Sequence, residues 1–246
     1  MSFIPIENYN ADLLKGSTLL LPTVSIGNVP QLTFDLLIHS LKLERVGYID
    51  QDTLMPVSGV LENNNTGVTV PIEVFQSNDQ KWTCIQQRSP TIKGKRQAFL
   101  DQITAFATQF SQVVILTSMD ASRRLDSQIS GPPFRVYGEG ELTIRAVTLG
   151  VPVLENMELE ESQEGEKSLD LPGAGLAKQL YDQLSSQVQT TLFIMFALEG
   201  DNVQDSIEYA SLINTLLKID LSLTRWIPPK SWELLFGTPF NAELYQ

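Results

Sequence analysis

The chain of 246 residues holds a single cysteine and a single histidine. The lone Cys84 excludes an intrachain disulfide and a cysteine-based zinc site. The lone His39 leaves little material for a nucleophile–base pair, and no Gly-x-Ser-x-Gly elbow is present. Positive charge is also scarce: 17 Lys and Arg stand against 29 Asp and Glu, a net charge of −12. That field has the wrong sign for a nucleic-acid backbone or an anionic membrane. No apolar run approaches the roughly 18 residues of a membrane span. The opening Met1-Ser2-Phe3-Ile4-Pro5 has no basic region ahead of an apolar stretch, so no signal peptide is expected and the Asn64-Asn65-Thr66 sequon carries no weight. These absences predict a soluble protein of the cytoplasm and/or nucleus, with no nucleic acid and no membrane among its partners and neither metal nor cofactor.

What is present is the composition of a globular chain, 42% hydrophobic, 8% aromatic and 19% charged, without internal repeats or low-complexity tracts. Thr18 to Leu21 is a continuous apolar run, the pattern of a strand buried on both faces. Gly27-Asn28-Val29-Pro30 reads as a turn into a helix reaching about Leu41, with Asn28 or Val29 near the cap and Phe34, Leu37, Ile38 and Leu41 on one face. Val46 to Ile49 is the next strand, so a parallel crossover is expected. Asn63 to Gly67 reads as a loop, Val68 to Phe75 as a strand, and Trp82 to Gln87 as its neighbour. Phe99, Ile103, Phe106 and Phe110 recur at helical spacing within Gln97–Phe110, and Val113 to Leu116 follows as a buried strand, a second crossover. Residues 127–133 read as a loop, and Glu141 to Val153 as holding one more strand. Pro172-Gly173 opens a helix to about Leu184, Thr191 to Phe196 is a buried strand, and Asp201 or Asn202 caps a last helix carrying Val203, Ile207, Ala210 and Leu217. Alternation of this kind predicts an α/β fold, a sheet flanked by helices in an α/β/α sandwich. The expected division is a single α/β domain over 1–225, with an acidic loop or insertion at 155–167, and a C-terminal extension over 226–246.

Few residues invite a chemical reading. His39 lies on the helix face of Leu32 and Leu36 and reads as a packed side chain; Cys84 reads as a small hydrophobe in a strand. Gly173-Ala174-Gly175-Leu176-Ala177-Lys178 lacks the spacing of a phosphate loop and fits a helix start. Lys93, Lys95 and Arg96, and Arg123 with Arg124, form two short basic clusters that fit ordinary solvated positions. Glu155, Glu158, Glu160, Glu161, Glu164 and Glu166 form a run free of Lys and Arg, suited to a solvated loop or to contact with a basic partner. Glu199 and Asp201 follow a buried strand, where α/β folds place sites, so an α/β enzyme or small-ligand protein with a carboxylate site there is the alternative to a non-enzymatic reading. Capping accounts for Asp201 and Asn202 without a substrate. The final Leu244-Tyr245-Gln246 fits either a frayed terminus or a docking tail, in which the carboxylate pairs with a lysine and the Tyr ring supplies apolar area and a hydrogen bond.

Five blocks occur in order: Leu19 to Val29; Pro172-Gly173-Ala174-Gly175 with Tyr181-Asp182; Glu199-Gly200-Asp201-Asn202; Arg225-Trp226-Ile227-Pro228; and Ser231 to Gly237. Together they resemble the proteasome assembly chaperone 2 family from about Leu19 to Gly237. Residues 57–88 and the acidic run carry little of the likeness. The resemblance implies a non-enzymatic chaperone that pairs with proteasome assembly chaperone 1 as a heterodimer and binds the outer face of the proteasome α-ring during core-particle assembly. It also implies that Leu244, Tyr245 and Gln246, as a hydrophobic–tyrosine–any-residue tail, enter a pocket between α-subunits. Trp226, Ile227, Trp232, Leu234, Leu235 and Phe236 crowd this end of the chain, and a partner-facing role is expected for some of them.

Overall fold

A computed structural model of the chain describes residues 2–50, 52–61, 64–155, 171–234 and 237. An eight-stranded sheet runs through the molecule in the order β1 (Ser2–Pro5), β3 (Glu44–Asp50), β6 (Ile72–Gln76), β7 (Trp82–Gln87), β2 (Thr18–Pro22), β8 (Gln112–Asp120), β10 (Gln189–Ala197), β9 (Phe134–Gly138). The central four, β7, β2, β8 and β10, are mutually parallel, while β6, β1 and β9 run the other way. A separate ribbon pairs β4 (Gly59–Leu61) with β5 (Asn64–Thr69).

The parallel strands are buried along almost their whole length because helices cover both faces. Leu19 and Leu21 of β2 point to one side, where α2 (Arg96–Ala107) and α5 (Ala177–Ser185) pack, and Leu20 points to the other, toward α1 (Val29–Ser40), α6 (Val203–Leu217) and α4 (Glu141–Thr148). The same alternation divides Val113 and Ile115 from Val114 and Leu116 in β8, and Leu192 and Ile194 from Phe193 and Met195 in β10. The α/β/α sandwich expected from the sequence is the fold found. A short helix, α3 (Asp126–Ile129), follows β8. Among the described residues no helix is long and apolar enough to cross a membrane, and no cluster of His, Cys, Asp and Glu could hold a metal ion.

Both crossovers are present, each spanning more than adjacent strands. Helix α2 carries the chain from β7 over β2 to β8, and α1 carries it from β2 past β7 and β6 to β3. Five local expectations are corrected. Residues 64–67 belong to β5 rather than a loop, and the strand expected over 68–75 breaks at Pro71, which cannot donate to a ladder, so β5 and β6 are separate. Residues 141–148 form helix α4, not a strand: Leu142 and Ala146, four apart, enter the core together. The strand of this region is β9, which starts seven residues earlier. Helix α5 begins at Ala177, after turns at 172–176, and α3 takes residues 127–129 of the loop expected over 127–133.

Cys84 is fully buried in β7, and burial pushes its thiol far above the ordinary range. The thiolate is the reactive form. The native protein should therefore leave Cys84 unmodified by a maleimide at neutral pH and become labelled only on unfolding, as read by mass spectrometry with and without urea.

Candidate functional site

Three of the sequence blocks meet at the edge where the parallel strands end. Thr23, just beyond β2, donates from Oγ1 to Thr117 Oγ1 of β8 at 2.8 Å, and Thr117 donates on to the carbonyl of Ala174 at 3.1 Å. Ser118 Oγ donates to the Ile26 carbonyl at 2.5 Å, and the Ser118 N–H donates to Ser25 Oγ at 3.1 Å. The backbone completes the seam: Ile26 N–H donates to Gly173 O at 2.8 Å, and Asp120 N–H to Pro172 O at 2.9 Å. Asn202, 4% exposed, turns its amide nitrogen onto the carbonyls of Leu198, Gly200 and Gly27 at 3.0, 3.1 and 3.3 Å. The closeness of the chains is set by Gly175, which has φ +62° and whose absent Cβ would collide with the Val24 carbonyl oxygen. This seam is a structural joint. The Ser118 proton is committed to a carbonyl, and His39 lies ten residues along α1 from Val29, roughly 15 Å.

The predicted carboxylate pair is placed on the surface of the same edge. Glu199 and Asp201 are both exposed, and Asp201 Oδ1 accepts the Val203 N–H at 3.0 Å. Asp201 thus caps α6, whereas Asn202 ties it to the loop ahead of α1. The carboxyl that is perturbed nearby is Asp205, held above its usual range by burial and by the negative charge of Glu208 and Asp201. Gly173 and Gly175 adopt left-handed turns ahead of α5, and Lys178 pairs with Asp182 at 2.8 Å. In the basic clusters, Lys95 is bound to Asp52 at 2.7 Å, and Arg124 lies 5.6 Å over the Phe196 ring, which Arg135 approaches at 5.2 Å. Glu155, first of the acidic run, is held at 3.1 Å by Arg135; Glu158 to Glu166 lie outside the described residues.

The C-terminal block is anchored to the opposite layer. After α6 the chain turns at Asp220, whose N–H and carbonyl both bond the Asn214 side chain, at 2.8 and 2.7 Å. Trp226 Nε1 then donates to Ser211 Oγ of α6 at 2.8 Å. Ser40, at the end of α1, accepts the Ile227 N–H at 2.8 Å and donates to the Ile227 carbonyl at 3.2 Å. Trp232 Nε1 reaches Asp35 Oδ2 at 3.4 Å. Both indole rings pack on the α1–α6 side of the core, while Ile227 faces outward. Asp35 is fixed in turn by Gln86 at 2.7 Å and Arg88 at 3.5 Å. Arg88 continues to the fully buried Glu73 at 3.1 Å, and Glu73 to Arg45 at 2.9 Å. The anchors Asp35, Ser40 and Ser211 were not singled out in the sequence. Ser40 and Ile227 are 187 positions apart, and no local pattern links them. Leu244, Tyr245 and Gln246 lie outside the described residues, as do Leu235 and Phe236.

Comparison with known proteins agrees with this fold. The model that describes the PAC2 family matches residues 19–221, from β2 to just past α6. Curated relatives match over nearly the whole length: human proteasome assembly chaperone 2 is 31% identical over 99% of this chain and all of its own, and the Xenopus laevis protein of the same name is 34% identical over the same shares. Among solved structures, Pyrococcus furiosus PbaA, described as an archaeal homolog of proteasome-assembly chaperone, superposes with a TM-score of 0.62 at 16% identity, covering 91% of this chain and 88% of its own. Pyrococcus furiosus PbaB, described as an archaeal proteasome activator, gives 0.61 at 11% identity over 90% of each chain. At those identities the structures attest the fold alone, but the sequence matches go further: the chain belongs to the PAC2 family.

Proposed function

We propose that this chain is a non-enzymatic chaperone of proteasome core-particle assembly, working as a heterodimer with proteasome assembly chaperone 1 and binding the α-ring. The observation that carries the reading is the end-to-end match to curated proteins named proteasome assembly chaperone 2. The polar seam supports it, since its hydroxyls are spent on holding loops together and Asp201 on capping a helix. In this reading residues 1–225 form the body and 226–246 the extension, and Leu244, Tyr245 and Gln246 dock between α-subunits through ring area, a phenol hydrogen bond and the free carboxylate. The complex would act in the cytoplasm and/or nucleus, where core particles are built.

The test is capture of α-subunits by the heterodimer, with the partner's own tail removed so that one tail cannot mask the other. Tyr245→Ala should weaken binding by about 2–4 kcal/mol, the range of an aromatic anchor, which is roughly thirty- to a thousandfold. Residues appended after Gln246 should do the same by displacing the carboxylate. Neither change should alter folding or pairing with the partner chaperone. Equal capture by intact, Tyr245→Ala and extended chains would refute the tail reading, and absence of any heterodimer would refute the pairing.

A further inference from the structure

After α6 the sheet and both helical layers are complete, yet the next stretch is pinned at four successive points. Those points trace a path. Helices α1 and α6 each follow a parallel strand, so both end at the edge opposite the polar seam. The turn at Asp220 is held by Asn214, Trp226 is tied to Ser211, Ile227 crosses to Ser40, and Trp232 reaches Asp35. From Ser40 to Asp35 the chain climbs five residues back along α1, about 7.5 Å. The direction of the chain has been reversed: it left α6 at the far edge and is carried back toward the edge where the parallel strands end. The anchoring groups suit that task. Two of the contacts use indole N–H donors and one uses both polar groups of the Ile227 backbone, which fix register as well as proximity, and Pro228 and Pro229 stiffen the step between them.

We infer that residues 220–234 are a strap that sets where and in which direction the C-terminal tail leaves the body, with Asp35, Ser40 and Ser211 as its positioning residues. The inference rests on the tail reading proposed above. Twelve residues separate Leu234 from Gln246, a reach of at most about 40 Å. Measured from Asp220, the anchor that remains once Trp226, Ile227 and Trp232 are released, the span is twenty-six residues and about 90 Å. Effective concentration at a fixed target falls as roughly the 3/2 power of tether length, so loss of the strap should cost about threefold in tail-dependent affinity.

The experiment measures the dissociation constant of the heterodimer for isolated α-subunit rings, with the partner's tail deleted, in four forms: intact, Ser40→Ala/Ser211→Ala/Trp232→Phe, lacking residues 244–246, and carrying both changes. The triple substitution removes the anchoring hydrogen bonds and keeps the aromatic packing. It should weaken binding about threefold when the tail is present and leave binding unchanged when the tail is absent, a coupling that a merely structural role would not produce. A fifth form keeps the strap and inserts fourteen Gly/Ser residues after Gly237, which restores the longer tether without touching the body; it should match the triple variant. Equal loss with and without the tail, or no loss in either the triple or the inserted form, overturns the strap while the tail reading stands. Tail deletion without effect overturns the tail reading, and the strap with it.

Discussion

Gly175→Ala should be among the most damaging single changes in this chain, lowering stability by about 3–5 kcal/mol, the range reserved for strain combined with forced movement of buried structure. Two costs add. The residue sits at φ +62°, where an L side chain loses roughly 1–2 kcal/mol. Its new Cβ would then overlap the Val24 carbonyl oxygen, and neither chain can yield without breaking the seam that ties Ile26 to Gly173 and Thr117 to Ala174. Gly94 supplies the control, with φ +85° and nothing within 4 Å of a built Cβ. Gly94→Ala should show the first cost only. Urea midpoints of the two variants at unchanged slope would separate the terms; equal midpoints would mean that close approach at Gly175 contributes nothing.

Stripping Glu73 of its partners should be comparably severe. Its side chain is fully buried, while Arg45 and Arg88, its two partners, are 28% and 32% exposed. Removing one arginine leaves the carboxylate paired, and with the partner part-solvated the loss should be about 1 kcal/mol. Removing both, as in Arg45→Met/Arg88→Met, leaves an enclosed charge without a counterion and should destabilise by about 3–5 kcal/mol, more than the two singles together. Adding Glu73→Met should recover most of that loss, because an apolar group needs no partner. Denaturant melts of the two singles, the double and the triple settle it, and additive singles would show that the carboxylate finds water.

What could be read from the sequence divides along physical lines. Strands β2, β8 and β10 announce themselves as unbroken apolar runs because both their faces are covered. Helices α1 and α2 show a one-sided apolar stripe because each packs on one face. Strand β9 hides because Arg135 stands within it; that arginine is 2% exposed and satisfied by Glu155, twenty residues on, together with the carbonyls of Pro132 and Phe134. Helix α4 hides because Thr143, Ile144, Val147 and Thr148 favour strands locally, and the core contacts of Leu142 and Ala146 override them. Strand β5 belongs to a ribbon outside the main sheet, so Asn64 to Gly67 needs no apolar alternation. The seam was visible only as ordered blocks, Thr23 and Ala174 being 151 positions apart, and the strap only as an aromatic surplus.

The place of β2 has a consequence during synthesis. It is the second strand to leave the ribosome and one of the two central strands of the sheet, yet both its neighbours are made later: β7 begins sixty residues after Pro22, and β8 ninety. At about 5–20 residues per second, an apolar segment with two unsatisfied edges waits several seconds for its first partner and longer for its second. Such an edge is a template for pairing with any other extended chain. The nascent polypeptide is thus most vulnerable to misassociation before residue 120 has emerged.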